Sequence, residues 1–142
     1  MNLFDLTGYL VNRTDVKITN YFSKCLKPYQ ITPEQWAIIC VLDEKKMTQK
    51  ELSSSIDRNQ TTVVRMVNLL EKKCIVSKEY NADDKRSHFI KLTKKGQQLQ
   101  SELIPVVLDA HRRVTEGLSE EDLKQIQFYL NKLYQNVNKH LF

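Results

Sequence analysis

Apolar residues return every three or four positions along most of this chain, a spacing that predicts helices. Leu3, Leu6, Leu10, Ile18, Tyr21, Phe22 and Cys25 mark one long helix from Leu3 to about Lys27, ended by Pro28. Thr32-Pro33-Glu34-Gln35 has the form of a helix start, with a Thr cap and a Gln three residues on. The helix that follows, to about Asp43, is expected to turn Trp36, Ile39, Cys40 and Leu42 inward. Thr48-Gln49-Lys50-Glu51 repeats the capping pattern and opens a short helix anchored by Leu52 and Ile56. A turn through Asp57 and Arg58 leads to Asn59, the cap of a third helix ending near Lys73. Two helices joined by so short a turn form a helix-turn-helix.

The period then changes. Ile75 to Tyr80 and His88 to Thr93 are short β-branched or aromatic segments around the polar run Asn81 to Ser87. They predict a β-hairpin with a long charged tip, a wing. Thr93 is placed to cap a helix running to about Glu116, which Pro105 should kink or break. Gly117 suits a left-handed closing position, and Ser119 caps a last helix with acids in its first turn. That helix carries Leu123, Ile126, Leu130, Leu133, Val137 and Leu141, the seam of a coiled-coil-like contact. The expected fold is mainly α with a small β part (α+β), a winged helix-turn-helix in the order ααααββαα. Residues 32–102 are assigned to the winged helix-turn-helix, flanked by helical regions at 1–31 and 103–142.

Composition fits this picture. The chain has 142 residues, only three Gly and three Pro, too few for a turn-rich all-β fold. Its three cysteines, Cys25, Cys40 and Cys74, have no C-x-x-C spacing, against a disulfide framework or a cysteine zinc site. His88, His111 and His140 are scattered, so no metal and no cofactor is expected. Gly-rich phosphate loops and G-x-S-x-G or H-E-x-x-H motifs are missing, against an enzyme. No apolar run is long enough to span a membrane and the N-terminus lacks signal-peptide character, so a cytoplasmic protein is expected.

Charge changes the picture more. Residues 45–95 hold 13 Lys and Arg against 6 Asp and Glu, a local +7 in a chain of net +5, which leaves −2 elsewhere. Such concentration suits a polyanion. On a wheel of about 100° per residue, Val63, Met66, Val67 and Leu70 share one side of the third helix. Thr61, Arg65, Asn68 and Lys72 take the other, Val64 lies at the margin, and Gln60 projects from the first turn. Gln pairs bidentately with adenine and Arg with guanine, so this side is a candidate for reading the major groove of double-stranded DNA. Arg86 on a thin hairpin suits a narrow minor groove, with Asp84 to orient it. Lys85 and Ser87 complete the candidate tip contacts.

The runs Leu69-Leu70-Glu71-Lys72-Lys73-Cys74-Ile75-Val76, Asp84-Lys85-Arg86-Ser87 and Ile90-Lys91-Leu92-Thr93-Lys94-Lys95-Gly96 resemble the MarR family of bacterial transcriptional regulators. Thr61 to Val67 resembles its recognition helix, Leu26 to Trp36 its first helix junction and Gly117 to Glu121 its last. The resemblance implies a homodimer, with 1–31 and 103–142 as its dimerisation region and 32–102 as its DNA-binding region, a pseudo-palindromic operator and usually repression. It also implies contacts from Thr61, Thr62 and Arg65, with Arg86 in the minor groove and Asp84 as its partner. Cys74 stands where the family usually has Gly, which matters if the position is left-handed. Many relatives release DNA on binding a small aromatic anion; here Arg13, Tyr21 and Trp36 are the candidates for a phenolic or other amphipathic effector. The alternatives are a redox-sensing regulator using Cys25, Cys40 being expected as inert core, and a winged-helix platform that binds protein instead of DNA.

Overall fold

A computed structural model describes residues 1–141. Six α-helices and three strands follow one another: α1 (Thr7–Leu26), α2 (Pro33–Val41), β1 (Met47–Thr48), α3 (Gln49–Ile56), α4 (Gln60–Lys72), β2 (Val76–Tyr80), β3 (His88–Leu92), α5 (Lys94–Val114) and α6 (Glu120–Leu141). They divide into two compact units, Met1–Ala110 and the segment from His111 onward.

In the first unit, capping fixes the helix starts. Thr32 and Gln35 exchange hydrogen bonds of 3.1 Å each, and Thr48 and Glu51 form the same reciprocal box. Asn59 accepts from the Thr62 N–H at 2.8 Å to start α4. Asp57, in the left-handed region at φ 56°, makes the turn between α3 and α4. The core gathers Leu26, Ile38, Ile39, Leu42, Leu52, Val63, Val67, Leu70, Ile90 and Leu103, all essentially fully buried. The sheet has the order β1-β3-β2, antiparallel throughout, with Val76 opposite Leu92 and Tyr80 opposite His88.

Four expectations need correction. The N-terminal helix is not continuous: Leu3–Asp5 is a 3-10 turn capped by Asn2, and Leu6 is extended before α1 begins. The sheet has a third strand, because Met47 and Thr48 pair with Ile90 and Phe89. Pro105 does not break α5, which runs through it from Lys94 to Val114. In α2 the buried residues are Gln35, Ile38 and Ile39, followed by Leu42; Trp36 is only partly buried and Cys40 is exposed.

In the second unit, Gly117 takes φ 83° as expected. Ser119 and Asp122 cap α6 reciprocally, at 2.9 and 3.0 Å. Ile126, Leu130, Leu133, Val137 and Leu141 stay exposed along one side of α6, as do Leu3, Phe4, Leu6, Leu10 and Val11 near the start of the chain.

Candidate nucleic-acid interface

The interface begins with how α4 is seated. Val63, Met66, Val67 and Leu70 are buried, the four positions that the helical wheel singles out. Gln60, Thr61, Arg65 and Asn68 are consequently exposed, while Thr62 is half-buried at the flank. Asn68 is already engaged: its side-chain oxygen accepts from Lys78 Nζ of β2 at 2.9 Å. Lys78 also lies 3.6 Å from Glu71, so one lysine ties the exposed side of α4 to the wing.

The wing leaves α4 through a tight junction. Cys74 has φ 62°, the left-handed conformation that the family's Gly would adopt without strain. Its side chain costs roughly 1–2 kcal/mol there. The Thr93 hydroxyl donates to the Cys74 carbonyl at 2.5 Å, and the Thr93 N–H donates to the Ile75 carbonyl at 3.0 Å. The same hydroxyl accepts from the Gly96 N–H at 3.0 Å and so starts α5. Gly96 is required by contact: a Cβ there would sit 2.1 Å from the Ile75 carbonyl oxygen. Lys95 donates to the carbonyl of Lys73 at 2.8 Å, and Lys73 to that of Gln30.

The wing tip is ordered by polar contacts. Asn81 is buried; its amide donates to Ser87 Oγ at 2.9 Å and its side-chain oxygen accepts from the Asp83 N–H at 3.0 Å. The Asp84 carboxylate accepts from the Arg86 N–H at 2.9 Å, and the Asp84 carbonyl accepts from the Ser87 N–H at 3.2 Å. Asp84 thus holds the main chain of Arg86 and forms no ion pair with its guanidinium among the described residues. Lys85 and Arg86 project from this frame, exposed.

Between the wing and the helix-turn-helix lies a cleft of about 450 Å³. Thr48, Gln49 and Lys50 from the start of α3 line it, with Gln60 from the start of α4 and Lys78, Asn81, Asp84, Arg86, Ser87, His88 and Ile90 from the wing. The first turns of α3 and α4 border it, and its three cations, Lys50, Lys78 and Arg86, outnumber its one carboxylate, Asp84, an arrangement that suits a phosphate backbone. Gln49, Lys50, Lys78, Asn81 and His88 were not legible as site residues. Only the charge count over residues 45–95 points toward the lysines.

Arg13 stacks over the Phe4 ring at 5.1 Å, Tyr21 meets Phe22 edge to face, and Trp36 packs against the core. A separate cavity of about 350 Å³ is lined by Asp15, Val16, Thr19 and Asn20 of α1, Pro33, Glu34 and Ala37 of α2, and Ile56 and Arg58 beyond. Cys40 is exposed rather than core, yet partial desolvation of its thiol and the nearby Asp43 carboxylate push it up to about 11. At neutral pH it stays a protonated, unreactive thiol. No helix among the described residues is long and apolar enough to cross a membrane, and none of their His, Cys, Asp and Glu side chains cluster in threes for a metal.

Residues 20–103 match the family model described as transcriptional regulator SarA/Rot. Among solved structures, a cysteine-to-serine mutant of MarR from E. coli complexed with operator DNA is 25% identical, with TM-score 0.84 over 94% of this chain and 99% of that one. The transcriptional repressor CouR, bound to a 23-mer DNA duplex, is 26% identical, with TM-score 0.86 over 93% of this chain and 94% of that one. AbsC, a MarR family transcriptional regulator from Streptomyces coelicolor, shares the fold at TM-score 0.87 and 19% identity, over 98% of this chain and 97% of that one. A seated reading helix, a cationic wing cleft and a MarR-type fold describe a DNA-binding transcription factor and not an enzyme: the chain belongs to the SarA/Rot family of transcriptional regulators.

Proposed function

We propose that this regulator is a homodimeric repressor of a pseudo-palindromic operator, with one winged helix-turn-helix on each half-site. The observation that carries the reading is the cleft that places the first turn of α4 and Arg86 of the wing around one cationic groove. A duplex strand lying there meets Lys50 and Lys78, while Gln60, Thr61 and Arg65 face the major groove and Arg86 enters the minor groove. Relatives crystallised with operator DNA and with a 23-mer duplex support the same use of the fold. Lys85 and Ser87 complete the tip. Asn68 and Asp84 serve by holding Lys78 and the Arg86 main chain.

The exposed apolar positions of α6 and of the chain start supply the second part. A row of such residues on one helix side favours association with another copy. Residues 1–31 and 103–142 are assigned to that contact, and 32–102 to DNA. A small amphipathic ligand is the release signal. Arg13, Tyr21 and Trp36 are its candidate residues, an aromatic wall with one cation. Such a ligand acts only if it binds the DNA-incompetent arrangement more tightly.

The test joins binding to mass. A duplex selected from a random-sequence pool is titrated at several salt concentrations, and the protein is sedimented at micromolar concentration. Affinity should fall steeply with salt, by about 0.9 logarithmic units per tenfold salt for each phosphate neutralised. The protein should sediment as a dimer. Salt-insensitive or undetectable duplex binding would instead favour a protein-binding platform.

A further inference from the structure

The wing tip holds one buried polar side chain, at the edge of the cleft, whose hydrogen bonds reach the loop that carries Arg86. Asn81 is only 7% exposed, whereas every residue from Ala82 to Arg86 is exposed. It stands just after β2 and donates to Ser87, the residue before β3, while its side-chain oxygen accepts from the Asp83 N–H within the tip. Its own carbonyl accepts from the Asp84 N–H at 3.3 Å. Asp84 in turn accepts from the Arg86 N–H. No buried apolar side chain lies between Asn81 and Ser87, so hydrogen bonds alone set the path of the loop. We propose that Asn81 is the positioning residue of the wing: through Ser87, Asp83 and Asp84 it fixes where Arg86 stands, and Ser87 serves as its partner rather than as a direct DNA contact. The inference rests on the DNA-binding reading above and on Arg86 as the wing's contact.

A double-mutant cycle on a duplex selected from a random-sequence pool tests it. Arg86→Ala should weaken binding by about tenfold. Asn81→Ala should cost about as much, and Ser87→Ala about threefold. Combined with Arg86→Ala, neither should weaken binding further, because a misplaced arginine and a missing one are equivalent. The salt dependence of Asn81→Ala should drop as that of Arg86→Ala does, by about one phosphate per half-site. Losses that add to that of Arg86→Ala would overturn the inference, since they mark Asn81 or Ser87 as independent contacts. So would wild-type affinity for Asn81→Ala beside a weakened Arg86→Ala. Wild-type affinity for Arg86→Ala would remove the wing reading itself, and the inference with it. Should Asn81→Ala lose its cooperative melt, Ser87→Ala at the tip decides by the same cycle.

Discussion

The helix α4 and the wing tip both face the same cleft, but they are held there by different forces. Four side chains of α4, spaced i, i+3, i+4 and i+7, are driven into the core, so burial sets the orientation of its exposed side. The tip from Ala82 to Arg86 buries nothing apolar and depends on a few hydrogen bonds from Asn81, Asp84 and Ser87. A net hydrogen bond contributes about 1 kcal/mol, far less than a buried leucine. Position is therefore secured by apolar burial in α4 and by a few weaker hydrogen bonds in the wing. The two elements should respond differently to the same kind of damage.

The largest expected effect is at Leu70. Leu70→Ala should lower stability by about 3 kcal/mol in urea denaturation, and DNA affinity should fall with the folded fraction. A full-strength binder at low stability would mean that α4 is not held by its core side. Gly96→Ala comes next, at about 2 kcal/mol, because the new Cβ collides with the Ile75 carbonyl at the wing's root. Its binding defect should exceed the loss of folded protein, since the hairpin shifts against α4. Arg86→Ala should cost about 1.5 kcal/mol of binding with an unchanged melting curve, read by fluorescence anisotropy and calorimetry. A lowered melting temperature would show that the tip contributes to the fold after all. Cys74→Gly should raise stability by about 1 kcal/mol and leave affinity alone, because the left-handed junction favours glycine. The smallest effect belongs to Cys40. With a thiol near 11 against an ordinary 9.0, its thiolate fraction at pH 8 is about a hundredfold lower than usual, and it rises with pH. Alkylation of Cys40 should be correspondingly slow at pH 8 and recover toward pH 11, and Cys40→Ser should bind DNA normally.

The same contrast explains what sequence could reveal. The buried side of α4 was legible because polar and apolar positions alternate cleanly at helical spacing. So were the caps at Thr32, Thr48, Asn59 and Ser119, whose signals lie within four residues. In α2 the run from Trp36 to Leu42 is apolar at every position, so no period distinguishes Ile38, which is buried, from Cys40, which is exposed. Strand β1 has only two residues and owes its existence to register with Ile90 and Phe89, some forty positions later. Asn81 looks like an ordinary turn residue, since its role depends on Ser87 folding back beside it. The effector candidates Arg13, Tyr21 and Trp36 were chosen by residue type, and the helices place them in different surroundings.

Lys73 at the end of α4 and Lys95 at the start of α5 together have a mechanical consequence. Lys95 grips the carbonyl of Lys73, and Lys73 grips that of Gln30, so three segments far apart in sequence are joined by a tie of two links. Gln30 stands where α1 hands over to α2, and Lys95 in the first turn of α5 just after the wing. A displacement of the α1–α2 corner would therefore reach the end of α4 and the start of α5 through the same two bonds.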